Sequence, residues 1–237
     1  MKHSKLTCSK FLSTKQVLLL ILFVESLAIT LAIKSAIANA LPPDIYFQEK
    51  GFITHLSFVQ LLLGAILAGN IYATIKHSPN TKLARNALLW LIISLGLIFL
   101  ALDDILSIHE QIDSLTHDLL RIEETNITDL ADDLIIGLYL LIFLTYVFFQ
   151  RRAIGLFKPS FIFFIIGFGL TIVMIIFDTM SNNTMFTSAF FNDGVREKIA
   201  RQWLGVIEDS AKIFAEGMFI VGIYKCREIV NSLNIEH

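Results

Sequence analysis

Residues 86–109 read NALLWLIISLGLIFLALDDILSIH. No charge occurs from Asn86 to Leu102; two carboxylates, Asp103 and Asp104, then follow in succession, with Ser107 and His109 just beyond. A bilayer core of ~30 Å takes ~20 mostly apolar residues in a helix, and this stretch is long enough. It predicts a transmembrane helix whose acidic end stays inside the bilayer's outer third.

Five further segments have the same character: roughly 17–39, 53–75, 130–150, 159–180 and 202–224. Turn signals separate them, at Pro42-Pro43, Ser78-Pro79-Asn80, Lys158-Pro159 and Ser181-Asn182-Asn183. The expected fold is all-α: one polytopic transmembrane helix bundle over 1–237, of about six spans. The composition agrees. The 237 residues are 55% hydrophobic and 17% charged, with twenty Phe and four Pro, and the mean hydropathy is +0.68. Soluble domains are ~45–50% apolar and ~25% charged. A disordered chain, a disulfide scaffold and an ordinary soluble enzyme are excluded. The net charge of -2 offers nothing to nucleic acid, and Cys8 and Cys226 lie too far apart in sequence for CxxC chemistry.

Charge sets the orientation. Lys2, Lys5, Lys10 and Lys15 precede the first span. Lys76, Lys82 and Arg85 join spans two and three, Arg151, Arg152 and Lys158 join four and five, and Lys225 and Arg227 follow span six. Basic residues mark the cytoplasmic side. The reading is an integral protein of a bacterial inner membrane with both termini cytoplasmic and the acidic loop 110–129 outside. The N-terminal segment also resembles a cleavable signal peptide, with Ala38-Asn39-Ala40 before Leu41; cleavage would leave five spans. The apolar run to Ile33 is long for that role, and the uncleaved span is the expectation.

Charged residues inside spans are costly and are functional candidates by default. Here topology gathers them. Span three ends outside with Asp103, Asp104, Ser107, His109 and Glu110; Asp103, Ser107 and Glu110 share one helical face. Span four starts there with Asp129, Asp132 and Asp133, span five ends there with Asp178, and span six enters with Glu208 and Asp209. Span two adds His55, Ser57 and Gln60. Glu208, Lys212 and Glu216, at i, i+4 and i+8, form a charged stripe with Asp209 beside it, the expected buried ion-pair network. Glu25 lies near mid-membrane on span one. One lysine cannot balance so many carboxylates, which implies a bound cation or carboxyls that keep their protons.

An oxygen-rich site with one or two His suits a divalent metal ion such as Mg²⁺, Ca²⁺ or Mn²⁺. Asp103, Asp104, Asp132, Asp133 and Asp178 are the candidate metal ligands, and His109 and Glu208 the candidate general acid and base. The patterns HExxH, paired HxxxH, Glu-x-x-His and a full DDxxD do not occur. Three readings from different classes follow: a divalent-metal-dependent membrane enzyme acting on a lipid or headgroup, a cation- or proton-coupled small transporter, or a non-catalytic membrane subunit or assembly factor. The expected partners are membrane lipids and a second copy or a membrane complex.

Overall fold

Ser13 starts the first helix by a reciprocal cap. Its hydroxyl accepts from the Gln16 backbone N–H, and the Gln16 side chain accepts from the Ser13 N–H at 2.9 Å. Helix α1 then runs over Thr14–Ala38. The computed structural model describes residues 12–48, 50–78, 81–84, 86–108, 155–182 and 193–235, with isolated positions between. Helix α2 spans Phe52–Lys76, the short α3 Thr81–Ala84, α4 Ala87–Leu106, α5 Phe161–Asn182 after a 3-10 turn at Gly155–Ser160, and α6 Gly194–Ile235.

The described residues are all-helical apart from turns and connections. By length and composition, four segments can cross a membrane: α1, α2, α4 and the continuous Gly155–Asn182. That is the make-up of a membrane protein, and it accounts for four of the six expected spans. Span 130–150 lies outside the described residues but for a few isolated positions. Span 202–224 falls within α6, but Glu208, Asp209, Lys212 and Glu216 keep it from qualifying as an apolar segment. At 42 residues, α6 is about 63 Å long, far longer than the span expected.

Burial explains where the charged helix sits. From Ala211 to Cys226, α6 is largely buried, packed against α1, α2 and α5. The apolar helices turn large side chains outward instead: Leu19, Phe23 and Leu27 on α1, Val59, Leu63 and Ile66 on α2, Ile165, Ile172 and Ile176 on α5. This inversion suits a lipid surround, where an apolar exterior costs nothing and polar groups need protein partners. Small residues permit the close contacts. Ala28, Ala32 and Ala36 form the buried stripe of α1, in line with Glu25. Between α5 and α6 the fit is reciprocal: a Cβ at Gly167 would come within 2.7 Å of the Phe219 ring, and one at Gly222 within 2.9 Å of Phe164.

The two ends of the bundle differ. Towards the Lys76, Lys158 and Lys225 end lies a sealed apolar cluster that includes Ile71, Ile75, Leu83, Trp90, Phe157, Ile223, Cys226 and Val230, with the Trp90 and Phe157 rings edge to face at 5.3 Å. Glu228 ties α6 to the start of α1 there, accepting from the Thr14 hydroxyl at 2.7 Å and the Thr14 N–H at 3.1 Å. At the other end, Phe47 in the α1–α2 connection packs with Ala28, Ala32, Ile53, Val206 and Ile213. That connection folds over the acidic side of the bundle.

Candidate functional site

Helix α4 delivers Asp103 and Asp104 one turn before its end. The helix stops at Leu106, and Ser107 takes a left-handed conformation, φ 48° and ψ 48°. The sequence expectation that Asp103, Ser107 and Glu110 share one helical face is therefore corrected at Ser107: the regular helix ends with the apolar run, and a left-handed residue turns the chain off the axis. Asp103 is buried, at 8% exposure, and Asp104 nearly so.

Lys212 enters from α6 and forms its ion pair with Asp104 across the helix interface. The i, i+4 spacing had pointed to partners on α6 itself. Those partners remain close enough for their charges to act on Lys212, Glu216 and Asp209 among them. Yet the direct hydrogen bond goes to a residue counted in the metal set. Removing an ammonium from water is costly unless a carboxylate pairs with it, and Asp104 supplies that contact from the neighbouring helix.

Glu216 is buried at 8% exposure and its Oε1 accepts from the Ser57 hydroxyl of α2 at 2.7 Å. It interacts electrostatically with Lys212, Asp104 and Glu25. Glu25 is fully buried, and its Oε1 accepts from Gln60 Nε2 at 2.8 Å. Nearer the acidic end, Glu208 Oε2 accepts from Ser181 at 3.4 Å, and Asp178 Oδ1 from Asn182 at 2.8 Å. Asp209 interacts with Lys212, Asp104, Asp178 and Asp44. The result is one connected polar seam. It runs from Asp178, Glu208 and Asp209 at the acidic end, through Asp104 and Lys212, to Glu216, Ser57, Gln60 and Glu25.

Several oxygens along it lack donors. Asp104 Oδ2, Glu216 Oε2, Glu25 Oε2, Gln60 Oε1 and Asp44 Oδ1 are buried and find no hydrogen-bond partner among the described residues. Beside Gln60 and Glu216 lies a small apolar-walled cavity, bounded also by Leu97, Phe219, Ile220 and Ile223. It has room for roughly one water. Beyond it the seam stops at the sealed cluster.

Of the sequence-predicted site residues, the structure therefore brings together Asp104, Glu208, Asp209, Lys212, Glu216 and Asp178, with Asp103 beside them on α4. His109, Asp132 and Asp133 lie outside the described residues. Among the described residues, no group of three or more His, Cys, Asp or Glu side chains is arranged to hold a metal ion. Asp44 draws no notice in the sequence, and Ser181 reads there only as a turn residue, although it lies in the last turn of α5. The Gln60 partner of Glu25 had a signal, since Ser57 and Gln60 stand three apart on an otherwise apolar helix.

Residues 13–225 match the family described as "Domain of unknown function (DUF8692)", and the chain belongs to that family. No curated protein and no solved structure matches the chain.

Proposed function

We propose that this DUF8692 member is a six-span protein of a bacterial inner membrane, with both termini cytoplasmic, whose outward-facing acidic seam binds a divalent cation and serves as a metal-dependent enzyme site for a lipid or headgroup. One observation carries the reading. Asp103, Asp104, Asp178, Glu208 and Asp209 gather at one end of α4, α5 and α6, with Lys212 as the cation paired among them and Asp104 Oδ2 buried without a donor. Clustered carboxylates at an effective dielectric near 20 repel by ~4 kcal/mol per pair at 4 Å. A divalent ion relieves several such pairs at once. Asp132, Asp133 and His109 are the residues proposed to complete its ligands from spans three and four, and Glu208 and His109 to move protons.

The depth suits a headgroup: the acids stand where polar heads meet acyl chains, and Phe47 and Asp44 cover the same end. The seam's reach to Glu25, halfway along α1, favours a second reading, a proton- or cation-coupled transporter. The apolar cluster from Ile71 to Val230 weighs against it, because the described residues there offer a passing proton or cation few polar partners.

The test is metal content and metal-dependent stability of the purified protein. Chelation is expected to lower the melting temperature, and Mg²⁺, Mn²⁺, Ca²⁺ or Zn²⁺ to restore it; at 100 times Kd the ion adds ~2.7 kcal/mol. The double variant Asp103→Asn/Asp104→Asn should lose both metal and response. A wild-type protein that carries no metal and ignores the chelator refutes the enzyme reading. It leaves a transporter, if proton uptake is seen, or a non-catalytic subunit.

A further inference from the structure

Glu25 and Gln60 form a pair whose remaining atoms define a ligand. The Glu25 carboxyl lies against the α6 backbone: a Cβ at Gly217 would stand 1.9 Å from Glu25 Oε1, so glycine is what lets the acid dock. Gln60 Nε2 donates to that same Oε1 at 2.8 Å. The other two oxygens of the pair, Glu25 Oε2 and Gln60 Oε1, are both buried, and neither meets a donor among the described residues. Gln60 is itself only 7% exposed.

An ionised Glu25 makes this arrangement worse, since both leftover atoms are then acceptors. A carboxylate can take one bond from the amide and must hold its second oxygen dry, which is costly. One proton removes both defects. Placed on Glu25 Oε2, it supplies a donor of the kind that Gln60 Oε1 lacks. A primary amide has one donor edge and one acceptor edge, matching a carboxylic acid and not a carboxylate.

The surrounding charges leave that proton unopposed. On α6 the group that interacts with Glu25 is Glu216; Lys212, Asp209 and Glu208 lie further along that helix, with Asp104 of α4 and Asp178 of α5 beside them. From α2 the facing groups are the neutral Ser57 and Gln60, with His55 exposed near the start of the helix. Lys212 is engaged by Asp104, and no ion pair to Glu25 occurs among the described residues.

We infer that Glu25 is a proton-binding site in the membrane interior, holding its proton in a two-bond acid–amide ring with Gln60. Glu216, whose Oε2 is also buried with no donor among the described residues and which lies close enough to Glu25 for the two carboxyls to interact, is the adjacent acceptor. Transfer breaks the Glu25 O–H bond and forms one on Glu216 Oε2, so the proton can leave towards the acidic end. This inference is independent of a metal at Asp103 and Asp104.

The experiment is infrared spectroscopy of the full chain in lipid bilayers at neutral pH, with deuterium exchange. The wild type should show the C=O stretch of a protonated carboxylic acid, downshifted by hydrogen bonding, and Glu25→Gln should remove one carboxyl's share of it. Because a neutral amide replaces a neutral acid and closes the same ring, Glu25→Gln should melt within roughly 4 °C of the wild type. In Gln60→Met the Glu25 band should move to higher frequency as its partner is lost. Three results overturn the inference: an unchanged acid band in folded Glu25→Gln, failure of Glu25→Gln to fold, or an acid band in Gln60→Met that does not move. Metal content should be the same in Glu25→Gln and the wild type, so failure of the metal reading leaves this test standing.

Discussion

Replacing Lys212 by Met tests how the seam holds together. The substitution keeps most of the side chain's bulk and deletes the ammonium that pairs with Asp104. Asp104 is then left with both carboxylate oxygens short of partners, Oδ2 being buried without a donor already. Breaking a buried pair by removing one partner costs ~3–5 kcal/mol. The Lys212 side chain is 31% exposed against 10% for Asp104, which places the loss near the lower end, ~3 kcal/mol. For a chain of this size each kcal/mol shifts the melting temperature by ~2–4 °C, so Lys212→Met should melt ~6–12 °C below wild type. Trp90 and Trp203 provide the fluorescence for thermal unfolding in detergent. Adding Asp104→Leu should recover most of the loss, because the stranded charge goes with it and apolar packing replaces a buried pair at little cost. The reasoning is refuted if Lys212→Met melts with the wild type, or if the double variant is no better than the single one.

Gly217→Ala drives a methyl into Glu25 Oε1 and to 2.7 Å from Ile21; overpacking of this kind costs ~1–3 kcal/mol, while Gly205→Ala, with nothing within 4 Å, should be neutral or stabilising by up to ~1 kcal/mol. Equal melting temperatures for the two would contradict the docking of Glu25. Burial pushes the Glu228 carboxyl up, but hydrogen bonds from Lys225 and Thr14 and the Lys225 charge outweigh it and hold it below its ordinary 4.5. Its stabilisation is therefore present above that value and lost as pH falls through the lowered one; Glu228→Gln should cost ~1 kcal/mol at pH 7 and flatten this part of an acid melting series. For orientation, in a background lacking Cys8, a membrane-impermeant thiol reagent applied from outside should label Thr125→Cys and spare Asn80→Cys. The opposite pattern reverses the topology.

How much of this was legible in the sequence depended on whether the physics was local. The apolar spans were, because length and composition alone decide whether a segment can cross a bilayer, and α1, α2, α4 and α5 follow the expected limits within a few residues. So was the gathering of Asp103, Asp104, Asp178 and Glu208 at one end, since alternating helix direction fixes depth. Which acid Lys212 chooses was not. Spacing along α6 reveals neighbours on that helix only, whereas the bond to Asp104 depends on the rotation of α4 about its own axis. The same applies to Glu25: its place midway along the first apolar helix was visible, but its contact with Gln60 needs Gly217 to bring α1 against α6. The full length of α6 was hidden by the polar Arg196–Arg201 stretch, which has room for a separate short amphipathic helix before the span yet continues the same helix.

The burial of α6 also bears on how the protein is made. A charged residue at the centre of an inserting helix costs ~2.5–3.5 kcal/mol on the translocon scale, and α6 carries Glu208, Asp209, Lys212 and Glu216 within three turns. By that measure it is a poor passenger by itself. Ribosomes deliver α1, α2, α4 and α5 beforehand, and among them stand Asp104, Ser57 and Ser181, which answer the charges of α6. In the proposed orientation α5 ends outside, so α6 would enter by docking against a waiting template, and a defect in an early helix should appear first as an α6 stranded outside or at the outer membrane surface.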